Sequence, residues 1–135
     1  MDLVRDAMLA DPLAFGDDRS ARDAGEALAR PEVRAVFVCD PSGRLVGVVT
    51  RKTLVREVVA AGLDPGATKL GQIAEPPNAT LESTMPLADA FAYVEEEDFE
   101  RVPVVEDGRL VGVLARVVVQ RRLAEDDPPD DGALV

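Results

Sequence analysis

The sequence predicts an α/β (α+β) fold built from two copies of one β-α-β-β-α unit. Three observations carry this. GRLVGVVTR, residues 43 to 51, returns as GRLVGVLAR, residues 108 to 116, with seven of nine positions identical. Each copy follows a short turn and a Val-rich run, as the second strand of a hairpin does. Each hairpin also lies between two stretches of helical periodicity.

The elements follow in chain order. Residues 3–9 and 69–74 read as short helical lead-ins, and 13–15 and 79–81 as short extended pieces. Leu87, Ala90, Phe91 and Val94 fall at i, i+3, i+4 and i+7, with Pro86 in the first turn of the helix they imply. Ala21, Ala24, Gly25 and Leu28 are their partners in the first copy, 66 residues earlier. AVFVC (35–39) with RLVGVV (44–49), and RVPVV (101–105) with RLVGVL (109–114), form the hairpins. DPSG turns the first and the shorter EDG the second, so the offset drops from 66 to 65. Both turns end in a Gly suited to positive φ. The strands are almost continuously apolar, which predicts burial on both faces or nearly so. In the helix that follows, Leu54, Val55, Val58 and Val59 form an apolar stripe that ends near Gly62. Its counterpart, about 116–124, carries Val118, Val119 and Leu123.

The expected organisation is repeat 1 over 1–62, a linker over 63–68, repeat 2 over 69–124, and a disordered acidic tail over 125–135. A unit of about 60 residues is marginal alone. Two such units are therefore expected to pack sheet against sheet about a pseudo-twofold axis.

The net charge is −11, and it is still −6 without the four Asp and one Glu of the tail. That balance excludes a general attraction to nucleic acid or an anionic membrane. No apolar run approaches the roughly 20 residues of a membrane span, and MDLVRDAMLAD has no signal-peptide pattern. Cys39 is the only cysteine, so no intramolecular disulfide can form. It reads as a buried structural thiol. These features, with high Ala, Val, Arg and Asp usage, predict a soluble cytoplasmic protein, consistent with a bacterial source. There is no His, and no GxSxG, HExxH or P-loop pattern, so neither catalysis nor a metal site is expected. EEEDFE (95–100) reads as a solvated acidic face rather than a cation cage. Its charge at a helix C-terminus is unfavourable, and the sequence offers no reason for it.

Val4 to Met8 with the following Pro12, Arg-Val-Pro-Val-Val-x-Asp-Gly (101–108) and Gly-Arg-Leu-Val-Gly-Val-Val-Thr (43–50) resemble a tandem pair of CBS domains. The resemblance covers about residues 4–123. It implies a regulatory module with two clefts between the repeats, often assembled into disk-like homodimers. Many members bind an adenosine-type ligand such as AMP, ATP or S-adenosylmethionine and act on a partner protein.

In ligand-binding members, Thr or Ser follows the Gly-Val-Val strand and Asp stands three residues later. The hydroxyl caps the helix and meets phosphate, and the Asp holds the ribose. Here the first copy reads Thr50-Arg51-Lys52-Thr53 and the second Ala115-Arg116-Val117-Val118. The resemblance therefore implies one candidate cleft, lined by Thr50, Arg51, Thr53, Ala79, Thr80, Arg101 and Val102. Two readings stay open: an adenine-nucleotide sensor using that cleft, or a ligand-free module for dimerisation and protein interaction.

Overall fold

The computed structural model describes residues 2–126, and side chains through Ala124. The expected acidic tail lies outside the described residues from 127 onward. The element order is α1 (Val4–Ala7), β1 (Ala14–Gly16), α2 (Ala21–Leu28), β2 (Val36–Cys39), β3 (Leu45–Val49) and α3 (Arg51–Leu54), which continues as a π-helical turn over Val55–Val59. Then come α4 (Leu70–Ile73), β4 (Leu81–Glu82), α5 (Leu87–Glu96), β5 (Arg101–Glu106), β6 (Arg109–Ala115) and α6 (Arg116–Asp126). Both copies thus fold as the β-α-β-β-α unit with a helical lead-in.

Two compact bodies form. The first holds Asp11–Asn78 and the hairpin tip Asp107–Leu110. Its sheet runs β1-β2-β3, with β1 parallel and β3 antiparallel to β2. Ala21, Ala24, Leu28, Val36, Val38, Val49, Val58, Leu70 and Ile73 fill its core. The second body holds the segment up to Ala10, Ala79–Glu106, and the chain from Val111. Its sheet runs β4-β5-β6, and Val4, Leu81, Leu87, Ala90, Val94, Val102, Val104, Leu114 and Val119 fill its core.

The lead-ins are exchanged between copies. Leu9, ahead of the first copy, bridges Val113 of the second through Leu9 N–H to Val113 O (2.9 Å) and the reverse bond (3.0 Å). Glu75, ahead of the second copy, bridges Val48 of the first in the same way, at 2.9 and 2.8 Å. This accounts for the glycine inside the repeated phrase. A Cβ on Gly47 would lie 2.6 Å from the Glu75 carbonyl oxygen, and one on Gly112 2.6 Å from Met8 Sδ. The turn glycines act differently: Gly43 and Gly108 have φ of 88° and 80°. Within the first body the two tips trade hydrogen bonds, Leu45 N–H to Gly108 O (3.0 Å) and Leu110 N–H to Gly43 O (3.1 Å).

Two burial expectations need correction. β3 is an edge strand, and Val46 faces outward instead of being buried. In the helix after it, Leu54 and Val58 face the core, while Val55 (58 % exposed) and Val59 (71 %) do not. Positions i and i+4 share a face, so the four residues form two adjacent faces rather than one stripe. Likewise Val119 is buried in α6, but Val117 is 60 % exposed.

Candidate functional site

The start of α3 is built by two threonines. Thr50 is the N-cap, and its Oγ1 accepts from Thr53 N–H at 3.3 Å. Thr53 Oγ1 accepts from Thr50 N–H at 3.0 Å, and the two hydroxyls lie 3.1 Å apart in a further hydrogen bond. This is a closed capping box, in which each side chain satisfies the other's backbone donor. Thr53 is 0 % exposed. No acidic residue stands in this first turn. Arg51 donates from its guanidinium to Arg30 O at 2.9 Å, and Lys52 is exposed. The helix start therefore offers positive charge and orphan N–H groups suited to an anion. It offers no carboxylate to a ribose diol.

The other four candidate residues lie in the second body. Ala79 is partly buried against its core, Thr80 is exposed, and Arg101 is exposed at the start of β5. Val102 is 2 % exposed and its side chain belongs to the core. β4 runs parallel to β5 with Leu81 beside Val104 and Glu82 beside Val105, so these residues begin neighbouring strands.

The start of α6 works without a hydroxyl. Ala115 is buried, and Arg116 N–H donates to Glu100 O at 2.8 Å. The Arg116 guanidinium donates to Asp98 Oδ1 at 2.9 Å. The hydrogen bond from Asp98, assisted by the charges of Asp98, Glu95 and Glu100, holds the Arg116 pKa above its ordinary value. Asp98 has a positive φ of 58°, just past the end of α5. The acidic run that looked out of place in the sequence thus meets an arginine from the next helix. Sequence reasoning missed this pairing because it spans 18 residues. One signal could have found it: the arginine repeated in GRLVGVxxR, which Arg51 and Arg116 occupy. Both reach back to the chain that follows the preceding helix.

Cys39 ends β2 and is half-buried rather than fully buried. Burial raises its thiol pKa, with a further push from the Asp40 charge. Asp40 accepts from Ser42 Oγ (2.6 Å), Ser42 N–H (2.9 Å) and Arg44 N–H (3.0 Å), and the Ser42 hydroxyl leads in lowering its pKa.

Comparison with known proteins places the chain. The CBS domain model matches residues 4–60 and 70–124. The chain belongs to the CBS domain family, as a tandem pair. It is similar to hypoxic response protein 1 of Mycobacterium tuberculosis, at 28 % identity over 125 residues, covering 93 % of this chain and 87 % of that protein. A crystal structure of Hypoxic Response Protein I with two coordinated zinc ions matches with a TM-score of 0.76 at 27 % identity, covering 90 % of this chain and 99 % of the other. CBSX2 in complex with AMP matches with a TM-score of 0.74 at 26 % identity, covering 94 % and 99 %. Zinc does not fit the donors found here. The chain has no His and one Cys, and among the described residues no group of three His, Cys, Asp or Glu could hold a metal. No helix among the described residues is long and apolar enough to cross a membrane.

Proposed function

We propose that this CBS pair is a non-catalytic regulatory module that works through protein association, its nucleotide positions having been turned over to fold stability. One observation carries this reading: Thr53 stands where the family's ribose-binding Asp is expected, and its hydroxyl is sealed in the Thr50 capping box. Arg51 has a comparable structural use, since its guanidinium is held by Arg30 O. In the second copy Ala115 and Val118 offer no hydroxyl at all. The regulated partner is a protein, in keeping with a CBS pair that carries no catalytic motif of its own.

A second reading has its own support. CBSX2, similar over nearly the whole chain, was crystallised with AMP. By the family's rule an adenine nucleotide here would lie against Thr50, Arg51 and Thr53 of the first body. A thermal-shift titration with AMP, ADP, ATP and S-adenosylmethionine separates the two. A ligand at 100 times its dissociation constant adds about 2.7 kcal/mol of stability. The association reading expects no shift at millimolar nucleotide. A saturable shift that Thr50→Ala abolishes would overturn it in favour of the nucleotide sensor.

A further inference from the structure

The repeated phrase puts one arginine at each hairpin tip, and the fold sets the two face to face. Arg44 and Arg109 form an antiparallel bridge within the first body. Its hydrogen bonds run between the flanking residues, Leu45 N–H to Gly108 O and Leu110 N–H to Gly43 O. That pattern makes the arginines a non-hydrogen-bonded pair, the kind whose Cα atoms lie about 4.5 Å apart with both side chains on one face. Both residues are exposed. Their side chains leave the bridge in opposite directions. Arg109 Nε donates to Ser42 O at 3.0 Å, whereas Arg44 Nη1 lies 2.7 Å from where a Gly108 Cβ would be. Among the described residues the Arg44 guanidinium makes no hydrogen bond, and neither arginine makes an ion pair. Asp40 feels the Arg44 charge, but its Oδ1 is occupied by the Ser42 hydroxyl and by the N–H groups of Ser42 and Arg44.

Like charges directly opposite each other cost stability. The chain has 26 Asp and Glu, yet none among the described residues pairs with either arginine. The fold thus holds two cations together with no counter-charge of its own against them. An apolar group stands beside them. The register of β2 on β3 passes from Val38–Gly47 to Cys39–Leu45, which leaves Val46 as an extra residue, 41 % exposed and two residues from Arg44. A bulge at a sheet edge re-aims a side chain in this way.

We propose that Arg44, Arg109 and Val46 form a docking surface for an acidic segment of another protein, one that carries separated carboxylates and an apolar side chain. The inference deepens the association reading above and rests on it. Geometry selects the occupant. Guanidinium groups that diverge do not close on one small anion, but they can each take a carboxylate at a different position along a segment. The exposed valine favours a protein over a nucleic acid, whose backbone offers phosphates but no apolar side chain to match it. Charge permits the contact. The first body holds ten Lys or Arg against eleven Asp or Glu, so −10 of the net −11 lies outside it. An acidic segment confined to the tips therefore meets a body close to neutral. Arginine is also the cation that protein interfaces favour.

Panning a random-peptide display library on the purified full chain tests the assignment. The enriched peptides are expected to carry several Asp or Glu beside a branched apolar residue. A labelled peptide from that set, followed by fluorescence anisotropy, should bind about 10-fold more weakly to Arg44→Glu and to Arg109→Glu, and about 3-fold more weakly to Val46→Ser. Arg121→Glu, at an exposed arginine of α6, should bind it as the wild type does. Affinity should fall as salt rises. Without peptide, Arg44→Gln should raise the thermal midpoint by about 1 °C, because it relieves the facing charges. Four results would each overturn the proposal: no acidic enrichment; a peptide held as tightly by Arg44→Glu and Arg109→Glu as by the wild type; tighter binding of oligothymidylate or inorganic triphosphate than of the peptide at equal ionic strength; or a midpoint lowered by Arg44→Gln. The nucleotide titration is read separately. Nucleotide binding that Thr50→Ala abolishes, with peptide binding kept, refutes the association reading and leaves this surface standing. Silent nucleotides with peptide binding indifferent to Arg44 remove this surface and leave that reading standing.

Discussion

The start of α3 and the start of α6 solve one problem with different chemistry. Both must satisfy the free N–H groups of a helix that follows directly on a strand. At α3 two threonine side chains do it, closing on each other at 3.0–3.3 Å. At α6 the backbone does part of it, with Arg116 N–H on Glu100 O, and Ala115 contributes no polar atom. What the two starts share is the arginine, which in both ties the new helix to the end of the old one. The shared residue marks a requirement of the fold. The residues that differ mark where one copy departs from the other, and there the threonines act as a cap.

The largest effect that would sharpen this comparison lies just upstream. Gly47 and Gly112 are the same position in the two copies, yet their neighbours differ. A Cβ at either glycine meets the backbone carbonyl of the exchanged lead-in, Glu75 O at 2.6 Å for Gly47 and Leu9 O at 2.9 Å for Gly112, and at Gly112 the nearest contact, at 2.6 Å, is the flexible thioether of Met8. Gly47→Ala should cost about 2–4 kcal/mol in urea unfolding, and Gly112→Ala visibly less. Met8→Ala should recover part of the Gly112→Ala loss and none of the Gly47→Ala loss. Equal costs would mean that the exchanged lead-ins do not hold the two strands as closely as described.

Next in size is the capping box. Thr50→Ala and Thr53→Val should each cost about 1–2 kcal/mol, since each leaves a backbone or hydroxyl group without its partner. Because they belong to one reciprocal unit, the double variant should cost little more than either alone. Strict additivity, measured by a double-mutant cycle, would break the contrast with α6.

The repeat made most of the fold legible. Identical phrases at a fixed offset located both hairpins, and Gly43 and Gly108 take the positive φ their turns implied. Helical spacing found α5, where Leu87, Ala90 and Val94 are all buried. The face of the helix after β3 was not legible, because Leu54, Val55, Val58 and Val59 fit either one broad stripe or two adjacent ones. The exchange of lead-ins was hidden too. Pairing partners such as Leu9 and Val113 are too far apart for periodicity to connect. Of the candidate site, Thr50, Arg51 and Thr53 were readable as a helix start. That Thr53 would be fully buried, and that Arg51 would be held by Arg30 O, depends on packing between elements and has no local signature.

A smaller effect separates the two arginines. Arg116 faces a carboxylate, so part of the loss on Arg116→Ala is screenable and should shrink as salt rises. Arg51 faces a neutral carbonyl, so the loss on Arg51→Ala should be nearly constant with salt. Matching salt dependences in thermal unfolding would show that the two do not differ in this way.

The smallest effect compares Cys39 with Val105, its counterpart 66 residues on. The second copy fills that strand position with a buried valine. Cys39→Val should therefore be close to neutral, within about 0.5 kcal/mol at pH 7, as volume-conserving changes often are. The two proteins should part only in alkali. Burial raises the folded thiol pKa above its unfolded value, so the unfolded chain loses its proton first. Above a pH of about 8.5 the wild type should lose stability as pH climbs toward the folded pKa, and Cys39→Val should lack that component. The same shift predicts slow alkylation of Cys39 in the native protein at pH 8 and ordinary thiol reactivity once it is unfolded. A Cys39 that reacts as fast in the folded state as in the unfolded one would contradict the half-buried, Asp40-flanked setting from which the alkaline difference follows.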